Sequence, residues 1–192
     1  SFSESLALRD HYTAGHSNSV LTYGRIIAEE LEMPMDRELT DSLLLHDIGK
    51  LGVPDDILLK TGRLTADEWE IMRQHAELGA SLLRRFDAFR PVSDVVWAHQ
   101  EHFDGSGYPR GLAGDEIPLY ARIIAVADGW HAMTEDRPYR RALSHDAAIR
   151  ELVSQRGKQF DAIVVDAFLK GMVRRRLLDE TQVEAVFPQL QI

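Results

Sequence analysis

Apolar residues recur at intervals of three and four along almost the whole chain, and no stretch alternates apolar and polar residues as a half-buried strand does. The clearest run extends from Val20 to Leu31 and ends near Pro34, because proline disfavours a helical conformation in the residue before it. Other runs predict helices through Leu39 and Leu43, through Trp69 to Phe86, from about Val92 to His102, and from Leu119 to His131. The pattern therefore predicts an all-α fold.

Helix-capping residues precede several of these runs. Asp36 can cap the second helix, and residues 65–68 have the spacing of a capping box. Ser144, Asp161 and Asp179 are expected to open two or three closing helices. Residues 104–114 are rich in glycine and other turn-forming residues, so we predict an irregular loop there.

The apolar run at residues 43–50 ends in three polar side chains. On a continuous helix, His46 and Lys50 would share a face, with Asp47 about 100° away from His46. A neutral imidazole and an ionised carboxylate suit a Zn, Mn or Fe type metal, and a carboxylate can bridge two such ions. Lys50 could then meet an anion held on the metals.

Other polar residues interrupt otherwise apolar helices in the same way. Helical bundles build metal sites from histidines and carboxylates that several helices contribute. These residues are His16, His75, His99 and Asp128. Spacing alone leaves two interpretations open: a metal site, or a set of unrelated surface and core residues.

Composition limits the classes of function. The chain has 192 residues with no repeat or linker, which indicates one domain over residues 1–192. Because it contains no cysteine, metals would be bound by histidine and carboxylate alone. A net charge of −9 argues against DNA binding, and no apolar run reaches the roughly 20 residues that cross a bilayer, so we expect no membrane contact and a cytoplasmic location.

The chain resembles the HD-GYP branch of the HD superfamily of metal-dependent phosphohydrolases, and the likeness covers nearly its whole length. It rests on His75 and on residues 12–16, 46–50, 99–101, 104–109, 121–128 and 136–140. The resemblance implies a single all-α HD-type domain with a metal centre between its helices. It also implies hydrolysis of the bacterial second messenger cyclic di-GMP to pGpG, to GMP or to both.

The same resemblance assigns roles to individual residues. Asp47 and Lys50 would be catalytic: Asp47 would bridge two metals, and Lys50 would lie near the scissile phosphate. The first metal position would be completed by His16, His46, Asp47 and Asp128, and the second would be held by Asp47, His75 and His99. The nucleotide would be bound by Lys50, Tyr108, Arg137 and Arg140.

The resemblance also implies a cellular setting. We expect two divalent ions, Fe or Mn, with Ni and Zn as alternatives. Besides cyclic di-GMP, the partners would include diguanylate cyclase (GGDEF) domains, which would contact the Gly107-Tyr108-Pro109 loop, and a second copy of the chain in a homodimer. The domain would belong to a longer regulatory protein of a two-component system, with an N-terminal receiver or sensor domain.

Several positions depart from the family pattern. Gln100 stands where a second adjacent histidine is usual, so the second metal position and the activity are expected to be weaker. Tyr12 replaces the glutamate of three-metal members, Ser19 replaces an arginine, and His131 replaces an aspartate. His131 and His102 could touch the metals, although a solvated position is favoured for His102. Two alternatives stay open: a domain that binds the nucleotide or a protein partner with little turnover, and a phosphohydrolase for another nucleotide.

Overall fold

The computed structural model describes residues 11–136 and 141–190, with side chains from residue 15 onward, and this part of the chain is helical without a β-strand. No helix in it is both long and apolar enough to span a bilayer. The α-helices are α1 (His11–Glu30), α2 (Arg37–Leu45), α3 (Asp55–Leu58), α4 (Ala66–Arg73), α5 (His75–Leu83), α6 (Arg90–Ala98), α7 (Leu119–Thr134), α8 (His145–Ser154), α9 (Ala162–Arg174) and α10 (Glu180–Val186). The predicted all-α fold is confirmed.

The capping residues identified in the sequence begin the helices as predicted. Asp36 accepts a hydrogen bond from a backbone N–H in the first turn of α2, and Thr65 forms a complete capping box at the start of α4. The side chains of Ser144, Asp161 and Asp179 likewise accept a hydrogen bond from a backbone N–H at the start of α8, α9 and α10. A cap of this kind contributes about 1 kcal/mol to a helix.

Two apolar clusters form the interior. In the larger one, α1 packs against α2, α7 and α9, and Ile27, Leu43, Ile124 and Phe168 are completely buried. The smaller cluster lies where α2, α5 and α6 meet and contains Leu45, Ile48, Leu83, Val92 and Val96. His46 and Asp47 follow α2 directly. They therefore lie between Leu45 and Ile48, which both belong to the smaller cluster.

The helix predicted through residues 43–50 ends earlier than expected. Helix α2 stops at Leu45, and a 3₁₀ segment, Ile48–Gly52, follows it. Gly49 explains the change, because a Cβ atom at this position would lie 1.8 Å from the carbonyl oxygen of His75. The chain thus turns to pack its backbone against the start of α5, and His46 and Lys50 do not share one face of a continuous helix.

The helix predicted through Trp69 to Phe86 is likewise divided. The N–H of Gln74 bonds to Ile71 O, three residues back, and this interrupts the helical ladder between α4 and α5. Trp69 and Phe86, at the two ends of the predicted run, are exposed. The next helix, α6, ends at Ala98, before His102 rather than after it.

The predicted loop at residues 104–114 is held down by a buried carboxylate. The side chain of Glu101 accepts hydrogen bonds from the backbone N–H groups of Arg110, at 2.7 Å, and Leu112, at 3.1 Å. Gly107 is required because a Cβ atom there would lie 2.1 Å from the backbone nitrogen of His102. The Arg110 guanidinium stacks on the ring of Trp97. The loop is therefore irregular but firmly positioned.

We predict that Gly49→Ala lowers the free energy of unfolding by about 3 kcal/mol or more, because a methyl group cannot be fitted against the α5 backbone without moving it. Urea unfolding followed by circular dichroism measures the change. Gly62→Ala is the matched control, since a Cβ atom at Gly62 has nothing within 4 Å. Equal stability of the two variants would contradict the close approach.

We predict that Glu101→Gln destabilises the protein by about 1–3 kcal/mol, because an amide cannot accept from both N–H groups and its own NH₂ group faces a donor. Hydrogen exchange of the Arg110 and Leu112 amides should accelerate more than exchange elsewhere. Glu184→Gln, on the exposed face of α10, is the control and should change neither quantity. Unchanged exchange at both amides in Glu101→Gln would show that Glu101 does not hold the loop.

Candidate metal centre

Four histidines from different parts of the fold bring their rings to one place beside Asp47. His16 comes from α1, His46 follows α2, His75 opens α5 and His99 follows α6. All four histidines and Asp47 are at least 95% buried. The residues that the spacing placed on separate helices therefore converge in a single cluster.

Three of these histidines are oriented by backbone carbonyl groups at the ends of helices. In each ring Nδ1 lies within hydrogen-bond distance of the carbonyl three residues earlier, in the last turn of a helix, where carbonyls have no intrahelical partner. A carbonyl only accepts, so the proton sits on Nδ1 and the lone pair of Nε2 faces the cluster. The pairs are His46 with Leu43 O at 2.9 Å, His75 with Met72 O at 2.7 Å, and His99 with Val96 O at 2.6 Å.

The ring nitrogens and Asp47 form two groups that share the carboxylate. In the first group, Nε2 of His16 and Nε2 of His46 are 3.2 Å apart and lie 3.6 and 3.5 Å from Asp47 Oδ2. In the second group, Nε2 of His75 and Nε2 of His99 are also 3.2 Å apart. They lie 3.6 and 3.9 Å from Asp47 Oδ1. Each carboxylate oxygen thus faces its own pair of imidazoles.

These separations fit metal coordination. Ligand atoms that bind one ion at about 2.0–2.1 Å with angles of about 90–109° are roughly 2.8–3.4 Å apart. The two nitrogen–nitrogen separations of 3.2 Å lie in that range, and the nitrogen–oxygen separations of 3.5 to 3.9 Å exceed it by a few tenths of an ångström. Two sets, His16 with His46 and Asp47, and Asp47 with His75 and His99, could each hold an ion. Asp128 Oδ1 lies 3.4 Å from His16 Nε2 and adds a carboxylate to the first set.

Burial sets the protonation of the three histidines at helix ends. Desolvation lowers the pKa values of His46, His75 and His99, and repulsion from the neighbouring imidazoles helps to bring that of His99 to about 3. They are therefore neutral at physiological pH, and a neutral imidazole is the form that binds a metal.

The carboxylates are ionised in spite of their burial. Desolvation by itself would raise the pKa of Asp47, but Lys50, whose Nζ is 2.6 Å from Oδ2, and His46 hold that pKa well below its usual value. His16 and His46 lower the pKa of Asp128 in the same way. Burial lowers the pKa of His16, yet Asp47 and Asp128 outweigh it and the net pKa is raised. Two ionised carboxylates therefore face the imidazole nitrogens of this cluster.

Two of the residues expected to bind the nucleotide, Tyr108 and Lys50, lie next to this cluster. The ring of Tyr108 is 6.5 Å from that of His75, and Lys50 is part-buried against Asp47. Sequence reasoning missed Arg73, whose guanidinium lies 5.2 Å over the Tyr108 ring; its only signal was a cation two residues before His75. Arg137 and Arg140 lie outside the described residues, so their predicted roles stay predictions.

Two of the positions that depart from the family pattern, Gln100 and His131, lie beside this cluster. Gln100, His99 and Asp128 line a cavity of about 40 Å³, which has room for water next to the second group. His102 also lines this cavity, with its Nδ1 3.0 Å from Ser106 Oγ and not among the metal-binding sets. His131 lies behind His16, not between the ligands. The side chain of Tyr12 falls outside the described residues.

Comparisons with known proteins identify relatives of this chain. A cyclic di-GMP phosphodiesterase of Thermotoga maritima is 44% identical over 168 residues, 84% of this chain and 45% of that protein. The 3'3'-cGAMP-specific phosphodiesterase 3 of Vibrio cholerae is 43% identical over 150 residues, 77% of this chain and 33% of that protein. The chain thus spans less than half the length of these relatives.

A solved structure shows the same fold. Bd1817, an HDG"Y"P protein from Bdellovibrio bacteriovorus, superposes with a TM-score of 0.63 at 20% identity, over 81% of this chain and 50% of that one. The family model of the HD domain matches residues 1–164, which include every proposed metal ligand. The chain therefore belongs to the HD domain family and, by its motifs and relatives, to the HD-GYP branch.

Proposed function

We propose that this domain is a metal-dependent phosphodiesterase that hydrolyses cyclic di-GMP to pGpG, GMP or both. The observation that carries the proposal is Asp47, whose two oxygens each face a pair of imidazole Nε2 atoms. Such a shared carboxylate suits two ions a few ångströms apart, the arrangement used for in-line attack on phosphate esters. The names of the relatives supply the substrate class.

Two divalent ions would be held by this chain. His16, His46, Asp47 and Asp128 would bind the first, and Asp47, His75 and His99 the second. Nitrogen and carboxylate donors without sulfur suit Fe and Mn, and Ni and Zn accept them too. When bound, these ions would lower the pKa of a water molecule and draw charge from the phosphoryl oxygens.

The surrounding side chains would hold the substrate. The ammonium group of Lys50 is part-buried, already charged beside Asp47, and so placed to stabilise charge on the scissile phosphate. Tyr108 would pack on the nucleotide at the side of His75, and Arg73 above it adds a cation for a phosphate. Arg137 and Arg140 would complete the phosphate contacts.

The setting of the domain follows from the same family. A chain that spans less than half of its relatives is consistent with a longer regulatory protein, with a receiver or sensor domain before residue 1. We place it in cytoplasmic bacterial signalling, with a homodimer and a GGDEF domain at the Gly107-Tyr108-Pro109 loop as partners.

Two alternatives rest on specific observations. Gln100 leaves the second position with one imidazole fewer than the family pattern, which favours a domain that binds cyclic di-GMP and turns it over slowly. The Vibrio cholerae relative favours 3'3'-cGAMP as a competing substrate. Both nucleotides are therefore tested in parallel.

We predict that anaerobically purified protein, loaded with Fe or Mn, cleaves cyclic di-GMP and that Asp47→Asn lowers kcat/KM by at least about a hundredfold, because the amide cannot bridge two ions. Product chromatography measures pGpG and GMP, and elemental analysis measures metal per chain. Asp41→Asn, at an exposed ion pair with Arg37, is the matched control and should retain both metal and activity.

Three outcomes separate the alternatives. Tight binding of cyclic di-GMP by calorimetry without product would replace the enzyme by a binding module. A higher kcat/KM for 3'3'-cGAMP than for cyclic di-GMP would change the substrate. Equal turnover by Asp47→Asn and the wild type would refute the metal-bridging role of Asp47.

We also predict that Gln100→His increases metal affinity at the second position, because an imidazole would enter the cavity beside His99. The dissociation constant of the weaker-bound Mn ion should fall by about tenfold or more, measured by calorimetry on metal-free protein. Gln182→His, on an exposed surface of α10, controls for an added histidine. An unchanged constant would show that position 100 does not face the ion.

A further inference from the structure

A buried histidine behind the metal centre has no role in the function proposed so far. His131, on α7, is 5% exposed, and its Nδ1 lies 3.0 Å from Nδ1 of His16. On its other side, Nε2 lies 2.9 Å from Oε2 of Glu135, one turn further along α7. The ring of Tyr23 packs nearby, 6.5 Å between centroids. A carboxylate and two imidazoles thus run in sequence from α7 to the first metal-binding set.

His16 differs from the other ligand histidines in its place on its helix. His46, His75 and His99 use carbonyls in the last turn of a helix to fix their rings. His16 lies within α1, which continues for fourteen residues beyond it to Glu30, so the carbonyls around it are used by the helix itself. His131 is in the position to supply an acceptor for Nδ1 of His16.

Glu135 determines the direction of the hydrogen bonds in this series. Its Oε2 is buried and makes no well-aligned hydrogen bond within the described residues, yet it lies 2.9 Å from Nε2 of His131. A carboxylate there favours a proton on Nε2 and leaves Nδ1 of His131 as an acceptor. Nδ1 of His16 then donates to it, and Nε2, the nitrogen that faces Asp47 and Asp128, is left to bind a metal.

We propose that His131, held by Glu135, is the positioning residue that fixes the ring of His16 with Nε2 toward the first metal. The inference rests on the metal-dependent function proposed above and refines it. Groups that orient a ligand histidine in this way typically change metal affinity by about 10–100-fold. Only the first position depends on His131, since His75 and His99 are oriented by backbone carbonyls.

The test measures metal binding, not hydrolysis. Metal-free wild type, His131→Leu, His131→Asn and Glu135→Gln are titrated with Mn by calorimetry. We expect His131→Leu to weaken one of the two ions by about 10–100-fold and to leave the other unchanged. His131→Asn keeps an acceptor oxygen close to the place of Nδ1 and should stay within about threefold of the wild type. The Mn affinity of Glu135→Gln should fall between those of His131→Leu and His131→Asn, because an amide fixes the direction of the hydrogen bonds less strongly than a carboxylate.

A second measurement reads the tautomer directly. In Zn-loaded protein, which is diamagnetic, long-range ¹H–¹⁵N NMR should show His16 with its proton on Nδ1 in the wild type and in His131→Asn. His131→Leu should lose that signature while the spectra of His75 and His99 are unchanged. Glu184→Gln, an exposed glutamate on α10, is the control for Glu135→Gln and should bind both ions as the wild type does.

The outcomes distinguish the two proposals. Wild-type affinities in His131→Leu, or equal weakening of both ions with a lower melting temperature, would overturn the positioning role while leaving the phosphodiesterase intact. A wild type that binds no divalent ion at all would overturn the proposed function and this inference together. Weakening confined to one ion, with rescue by asparagine, supports the role of His131.

Discussion

The buried carboxylate of Asp47 is the constraint on which the rest of the centre depends. An ionised carboxylate away from water is costly unless charges and hydrogen-bond donors surround it. Lys50 supplies one positive charge at 2.6 Å. The two oxygens also face Nε2 atoms of four histidine rings within 3.9 Å. Three of those rings belong to histidines that burial keeps neutral. In the proposed function, a cation at each oxygen would satisfy the carboxylate and the bare nitrogens together.

The ends of helices are what make the ligand set possible. A histidine inside a helix finds the nearby carbonyls already bonded, whereas one in the final turn, or just after it, can donate to a free carbonyl. Because α2 ends early and the helix is interrupted at Gln74, free carbonyl oxygens are available to orient the rings of His46 and His75. Gly49 links the two, since its backbone packs on the carbonyl of His75. The departures from regular helix are thus part of the site.

Local signals in the sequence were sufficient to predict most of the helices, but not these departures from regular helix. Capping bonds span three residues, so Asp36, Thr65 and Ser144 could be identified directly. Next to the break at Gln74, the backbone of His75 packs on Gly49, which is distant in sequence, and no local pattern predicts this contact. The 115-residue separation of His16 and His131 has the same consequence. The pattern left the metal site as one of two interpretations, and the family motifs were needed to choose between them.

The two halves of the centre are built by different means, and this makes them separately adjustable. The second position takes its orientation from backbone carbonyls, which no substitution of a side chain removes, so it changes mainly through its ligands, such as Gln100. The first position takes part of its orientation from side chains, so His131 and Glu135 can change it without any change of ligand. Asp47 is the ligand that the two positions share. Affinity at one position can therefore vary while the other is kept, provided that the shared carboxylate stays in place.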